Sequence, residues 1–251
     1  MSGQRHTYSL SGKVLPERGV VNLPLPVKVV ASSGGMPPGW EVVVSVVNSQ
    51  LAATLTTPEP VEDLQDLRER VEDVARFCVD SLGFLLACGY DLELTQVVAI
   101  DPIKHNVFGV YVEGVTGKSE YSAQEIYERF QKTVGVAPRK QQPLRRSLVD
   151  FREAIRSHED TPFFCFRAIE DLRQFFATSV NDDVKKSWSE MAAQLAIPTE
   201  TVDYVWNTLR PCAISVRHGA GARIEGEGRR KMLRVTWDVI DRFISANVAG
   251  A

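Results

Sequence analysis

The sequence predicts an α+β protein in two parts: a mostly antiparallel sheet carrying one long helix, then an all-helical bundle. Three observations carry this expectation. Valine- and threonine-rich β-like runs recur between Val14 and Glu113, one long stretch among them has helical periodicity, and beyond Leu148 the strand patterns stop. With 251 residues and 44% hydrophobic content the chain can bury an ordinary core in one large or two modest domains.

The first β-like runs are Val20–Ala31 and Glu41–Thr56, joined by a loop over Ser32–Gly39. Pro24 and Pro26 remove ladder donors from the first run, which makes it an edge strand or breaks it there. At Thr57-Pro58-Glu59 a cap residue, a proline and an acid open a helix that Gly89 ends. Its apolar stripe is Val61, Leu64, Leu67, Val71, Val74, Cys78, Leu82 and Leu85, with Glu62, Asp66, Glu69, Arg70 and Asp73 on the other side. Two more strands follow, Leu92–Ile100 and Asn106–Glu113, and then a short helix over Ser122–Val134 with a Ser cap and Glu125 three residues on. The front part, residues 1–140, therefore reads ββαββα.

Residues 137–146, APRKQQPLRR, combine prolines with four positive charges and suggest a domain boundary. Behind it, over 144–251, helices are expected at Leu148–His158, Phe163–Thr178, Asp183–Leu195, Glu200–Val216 and Arg230–Val248. Thr161-Pro162 opens the second of these and Pro198-Thr199 the fourth. The Gly-rich run His218–Gly228 reads as a mobile connection.

A formal net charge of −3 excludes the global basic field of a dedicated nucleic-acid binder, and from Leu144 onward 16 basic residues stand against 15 acidic. Cys78, Cys88, Cys165 and Cys212 have no CxxC spacing and lie among apolar neighbours, so they are expected as free buried thiols in a reducing compartment. With no signal peptide, membrane span or lipidation motif in the sequence, a cytoplasmic location and no membrane association are expected.

No cofactor or metal is expected. VTGKS at Val115–Ser119 has the end of a phosphate-binding loop, but the first glycine that loop needs falls on Val112, so it reads as a surface turn. GAGARIEGEG follows a helix rather than a strand, which removes the dinucleotide fingerprint. His6, His105, His158 and His218 have no zinc-ligand spacing to one another or to the cysteines.

One polar cluster stands out. FRAIEDLR places Arg167, Glu170 and Asp171 within a helical turn, while RPCAISVRHG carries Arg210, Arg217 and His218 at the end of another helix. The plainer account of these residues is an Arg–Glu pair that locks two helices, with His218 and Gly219 ending one of them.

The FRAIEDLR helix, the tryptophan-bearing SWSEMAAQL, the helix ending in RHG and a final amphipathic helix together resemble the HEPN superfamily, most closely its Apea-like and MauJ-like members, over Leu148–Ala251. The resemblance implies an up-and-down bundle that forms a homodimer, with active members cutting RNA without metal across the dimer interface. It implies catalytic roles for His218 as proton acceptor, Arg210 or Arg217 as the cation facing the phosphate, and Glu170 or Asp171 as the polar group from an earlier helix. Seven residues separate Arg210 from His218 and Pro211 follows the arginine, which departs from the family spacing. The function expected is RNA-related, cleavage or binding, in stress or defence. The alternative is a non-enzymatic interaction and dimerisation module whose front domain binds a partner or small ligand.

Overall fold

A computed structural model describes residues 5–16, 19–30, 36–108, 112, 114–116, 121–177, 184–219, 224 and 226–247. The chain is α+β and divides into two compact units, Met1–Val110 and Tyr111–Ala251.

The first unit is one antiparallel sheet of six strands and one helix. The strands are β1 (His6–Leu15), β2 (Val27–Val30), β3 (Glu41–Val47), β4 (Gln50–Thr57), β5 (Asp91–Ile100) and β6 (Ile103–Val107), and the helix is α1 (Leu64–Leu86). Their order across the sheet is β2-β3-β4-β1-β5-β6. Two strands therefore exceed the sequence expectation. The apolar run Glu41–Thr56 is a hairpin, because Asn48 and Ser49 both take positive φ and turn the chain in two residues. Strand β1 comes from a segment with few bulky apolar residues, and it sits at the centre of the sheet between β4 and β5. The proline-bounded β2 lies at an edge and starts directly after Pro26.

Alternation sets the buried face: Tyr8, Leu10 and Val14 of β1, Val42, Val44 and Val46 of β3, and Leu51, Ala53 and Leu55 of β4 enter one core with α1. On β5 the buried positions change phase, from Leu92 and Leu94 to Val97 and Ala99, and the register shift between Ser11 and Gly12 on β1 accommodates that change. Gly12 is required there. A Cβ at this position would lie 2.0 Å from the Glu93 carbonyl oxygen.

Helix α1 starts later than its apparent cap. Thr57 is fully buried as the last residue of β4, paired with His6, and the prolines at 58 and 60 hold the preceding residues extended. Asp63 is the cap instead, accepting from the Gln65 and Asp66 amides at 2.9 and 3.0 Å. The helix ends at Leu86, with Ala87 in the left-handed region, short of Gly89. Leu64, Leu67, Val71 and Cys78 are buried as expected, but Leu85 is 75% exposed. Glu69, expected on the polar side, is buried and accepts from Gln65 at 2.8 Å.

The second unit is helical: α2 (Ala123–Val134), α3 (Pro138–Arg156), α4 (Thr161–Arg173), α5 (Val184–Gln194), α6 (Thr199–Tyr204), α7 (Arg210–Arg217) and α8 (Gly226–Ser245). A 3₁₀ turn at Gln174–Phe176 extends α4, and a π-turn at Val205–Leu209 joins α6 to α7. The Ser122–Glu125 capping box opens α2 as read from the sequence. The compact units divide at Val110/Tyr111, not within residues 140–144. The stretch 137–146 is the cap and first half of α3: Pro138 occupies the helix start, where its missing N–H costs nothing, whereas Pro143 lies inside the helix, which continues through it without that residue's backbone donor.

Helix α4 packs against α3, α7 and α8. Its Cys165, Ile169 and Leu172 join Trp188, Met191, Leu209, Leu233 and Phe243 in the core of this unit. The apolar stripe of α8 is consumed there, with Leu233, Val239, Ile240 and Phe243 all buried. The expectation that all four thiols are buried holds for Cys78 and Cys165 only, since Cys88 is exposed and Cys212 intermediate. Among the described residues no helix is long and apolar enough to cross a membrane.

Candidate functional site

Helices α5 and α6 are joined by the short turn Leu195–Pro198 and enclose a cleft of about 470 Å³. Lys185, Trp188, Ser189 and Ala192 line it from α5 at helical steps of three and four, while Thr199, Val202 and Trp206 line it from α6 and the π-turn. The two indole rings stand 5.6 Å apart at 58°.

Two of the residues singled out from the sequence, Glu170 and Arg210, brace these tryptophans. Glu170 accepts from the Trp188 indole N–H at 2.9 Å. The same carboxylate accepts from Arg173 Nε at 3.1 and 3.0 Å and from Nη2 at 2.9 Å. Arg173 is buried, and its Nη1 donates to Ser187 Oγ at 2.7 Å. Glu170, Arg173, Ser187 and Trp188 thus form one network that fixes α5 on α4 and orients the indole. On the other wall the Arg210 guanidinium lies 5.0 Å from the Trp206 ring centroid.

Arg210 begins α7 directly after the π-turn, and its amide donates to Val205 O, five residues back. Pro211 explains the wide turn: it has no N–H for the Asn207 carbonyl, and its ring would crowd that carbonyl in a regular helix. Arg217 and His218 are exposed at the far end of α7, where the His218 amide donates to Ile214 O at 3.2 Å and closes the helix. The structure therefore brings Glu170 and Arg210 to the two tryptophans, and it puts Arg217 and His218 at a helix end. Residues 220–223 and 225 of the Gly-rich connection, and Gly117, Lys118 and Ser119 of the VTGKS string, lie outside the described residues.

Arg167 and Asp171, from the same helix as Glu170, belong to a second network on α3. Arg167 makes a bidentate pair with the buried Asp150 and lies over the Phe163 and Phe164 rings. Burial, with the Asp150 carboxylate beside it, pushes Asp171 up to about 6 against the pull of Arg146 and Arg167. Burial also pushes the Cys165 thiol up to about 12, which removes it as a nucleophile near neutral pH.

The cleft itself was missed by sequence reasoning. Its signal was the shared face of Lys185, Trp188, Ser189 and Ala192 on the tryptophan-bearing helix.

Residues 8–108 match the family described as Domain of unknown function (DUF8168) N-terminal domain. Residues 130–247 match its C-terminal domain. The chain is thus similar to DUF8168 across both of its compact units. No curated protein and no solved structure matches it.

Proposed function

We propose that this protein is a non-enzymatic binding module whose helical unit holds a ligand in the cleft that Trp188 and Trp206 help to line. In this reading the unit is a non-catalytic relative of the HEPN bundles and works in the reducing cytoplasm, where an exposed thiol such as Cys88 persists. The observation that carries it is the cleft. A volume of about 470 Å³ suits a small-molecule site, and its lining is mostly apolar and aromatic with a few polar groups. Both Glu170 and Arg210 are engaged with its walls, which leaves them structural work in place of acid or phosphate chemistry. The π-turn that carries Trp206 adds weight, because such turns recur at functional sites.

The module also pairs with a second copy of itself. Helix α2 has no buried residue, and it presents Ile126, Tyr127, Phe130 and Val134 on one face, all more than half exposed. The test of the binding reading is a thermal-shift screen of a small-molecule library with wild-type protein and a folded Trp206→Ala variant. Hits that lose their shift in the variant support it. Hits that survive the substitution, or a screen without hits, count against it.

A second reading, metal-independent RNA cleavage, is favoured by the exposure of His218 beside Arg217 at the end of α7. Cleavage of RNA in EDTA that is lost in a folded His218→Ala protein would put this reading first.

A further inference from the structure

The arginines of α3 are placed differently from those of the other long helices. On α1, Arg68, Arg70 and Arg76 each meet an acid one turn away on the same helix, and on α8 Arg230 and Arg242 do the same. Helix α3 carries six basic side chains against two acidic ones, Asp150 and Glu153. Asp150 is buried and taken by Arg167 of α4, and Glu153 is taken by Arg152 at 2.7 Å. Arg139 and Arg145 have no ion pair among the described residues. Arg146 stands near enough to Asp171 of α4 to pull on its carboxyl, and is itself exposed.

The helix itself gains nothing from this placement. Arg139 stands in the first turn, at the positive end of the helix dipole, and no acid shares that turn. Arg139, Gln142, Arg145, Val149 and Arg152 follow one another at steps of three and four with Arg146 beside them, and all six are exposed. At about 1.5 Å per residue the stripe runs about 20 Å. Between its charges stand a glutamine and a valine, so it lacks the aromatic anchor that grips a protein partner.

We infer that this stripe is a docking surface for the phosphate backbone of nucleic acid, held without reading of base sequence. A nucleic-acid strand offers a negative charge about every 3.4 Å of helix axis, and each phosphate presents oxygens that match the fork of a guanidinium. The chain as a whole is acidic, with a net charge of −3, so attraction is confined to the stripe and is short-ranged in salt. The surface shares no residue with the tryptophan cleft and does not depend on what the cleft binds.

The experiment measures fluorescence anisotropy of labelled duplex DNA and duplex RNA of about 20 base pairs against the full chain, with labelled poly-glutamate of similar length as the acidic-protein probe. If Arg139, Arg145 and Arg146 each neutralise one phosphate, the affinity for a duplex falls about 40-fold between about 50 and about 200 mM salt, a log–log slope of about −2.7. The tighter of the two duplexes identifies the source of the backbone, and poly-glutamate should bind at least about tenfold more weakly. Arg139→Gln/Arg145→Gln should weaken duplex binding at least about tenfold and make the slope shallower by about 1.8. Both positions are exposed and glutamine is a good helix former, so circular dichroism should stay native. The control Lys28→Gln/Lys104→Gln removes two exposed charges from the first unit and should leave affinity within about twofold of wild type. No duplex binding at about 50 mM salt, an equal loss in the control, or an affinity indifferent to Arg139→Gln/Arg145→Gln overturns the stripe as a docking surface. Poly-glutamate bound as tightly as the duplexes overturns the nucleic-acid assignment in favour of an acidic protein partner.

Discussion

Removing the Glu170 carboxylate should cost the helical unit about 3 kcal/mol. Arg173 is 7% exposed at its side chain and Glu170 24%, so the pair is largely withdrawn from water. Glu170→Ala removes every carboxylate contact of that guanidinium and leaves it only Ser187 Oγ, and it also frees the Trp188 N–H. Breaking a buried pair by deleting one partner costs roughly 3–5 kcal/mol, mostly from the stranded charge, and the partial exposure of Glu170 selects the lower end. Glu170→Gln keeps an acceptor for Trp188 but loses the charge, which should cost about 1.5 kcal/mol. The double replacement Glu170→Leu/Arg173→Met leaves no stranded charge and should return to within about 1 kcal/mol of wild type. Urea unfolding followed by far-UV circular dichroism and tryptophan fluorescence measures all three. A loss below about 1 kcal/mol for Glu170→Ala, or a double variant as damaged as the single one, would refute the assignment of Glu170 as a brace.

Asp171 holds its proton up to about pH 6 in the folded chain but only to about 3.8 when unfolded, so the native state binds the extra proton and stability falls as pH rises across that window. Asp171→Asn should flatten this slope and, after discounting for solvent screening, raise stability at pH 7 by about 1 kcal/mol; an unchanged pH profile of the urea midpoint would contradict this. Val71→Asp places a charge at a fully buried position of α1 and should unfold the first unit, so a soluble variant with native circular dichroism would show that the α1 face does not pack on the sheet. Gly12→Ala forces a methyl group onto the Glu93 carbonyl and should cost at least about 2 kcal/mol, and a wild-type unfolding midpoint would rule out the close approach of β1 and β5. Phe130→Glu puts a charge in the exposed face of α2 and should convert a dimer to a species of 27.9 kDa in analytical ultracentrifugation; a wild-type protein already at that mass would remove the pairing.

Periodicity made the core helices legible because each of them has to bury one side, and the Ser122 cap and the Thr161-Pro162 pair mark real starts. What it could not show was β1. Its buried set of Tyr8, Leu10, Gly12 and Val14 includes a glycine whose burial comes from close backbone approach rather than from an apolar side chain. Charge signals misled at 137–146, where basic residues and prolines suggest a linker. Pro138 is tolerated at a helix start, and the apolar contact that fixes α3 comes from Leu144 and Ala154 in the core.

The polar cluster was legible as a cluster but not as a geometry. Reading Glu200–Val216 as one regular helix assigns every side chain a direction from its spacing to Glu200. The π-turn at Val205–Leu209 inserts one residue, which rotates all later positions by about 100°, one residue's worth of helical turn. Arg210, Arg217 and His218 all lie beyond it, so their facing cannot be extrapolated from α6. The cause was visible in the sequence as Pro211, read there as a departure from a catalytic spacing. In the folded chain the same proline accounts for the wide turn that carries Trp206 into the cleft and Arg210 onto its outer face.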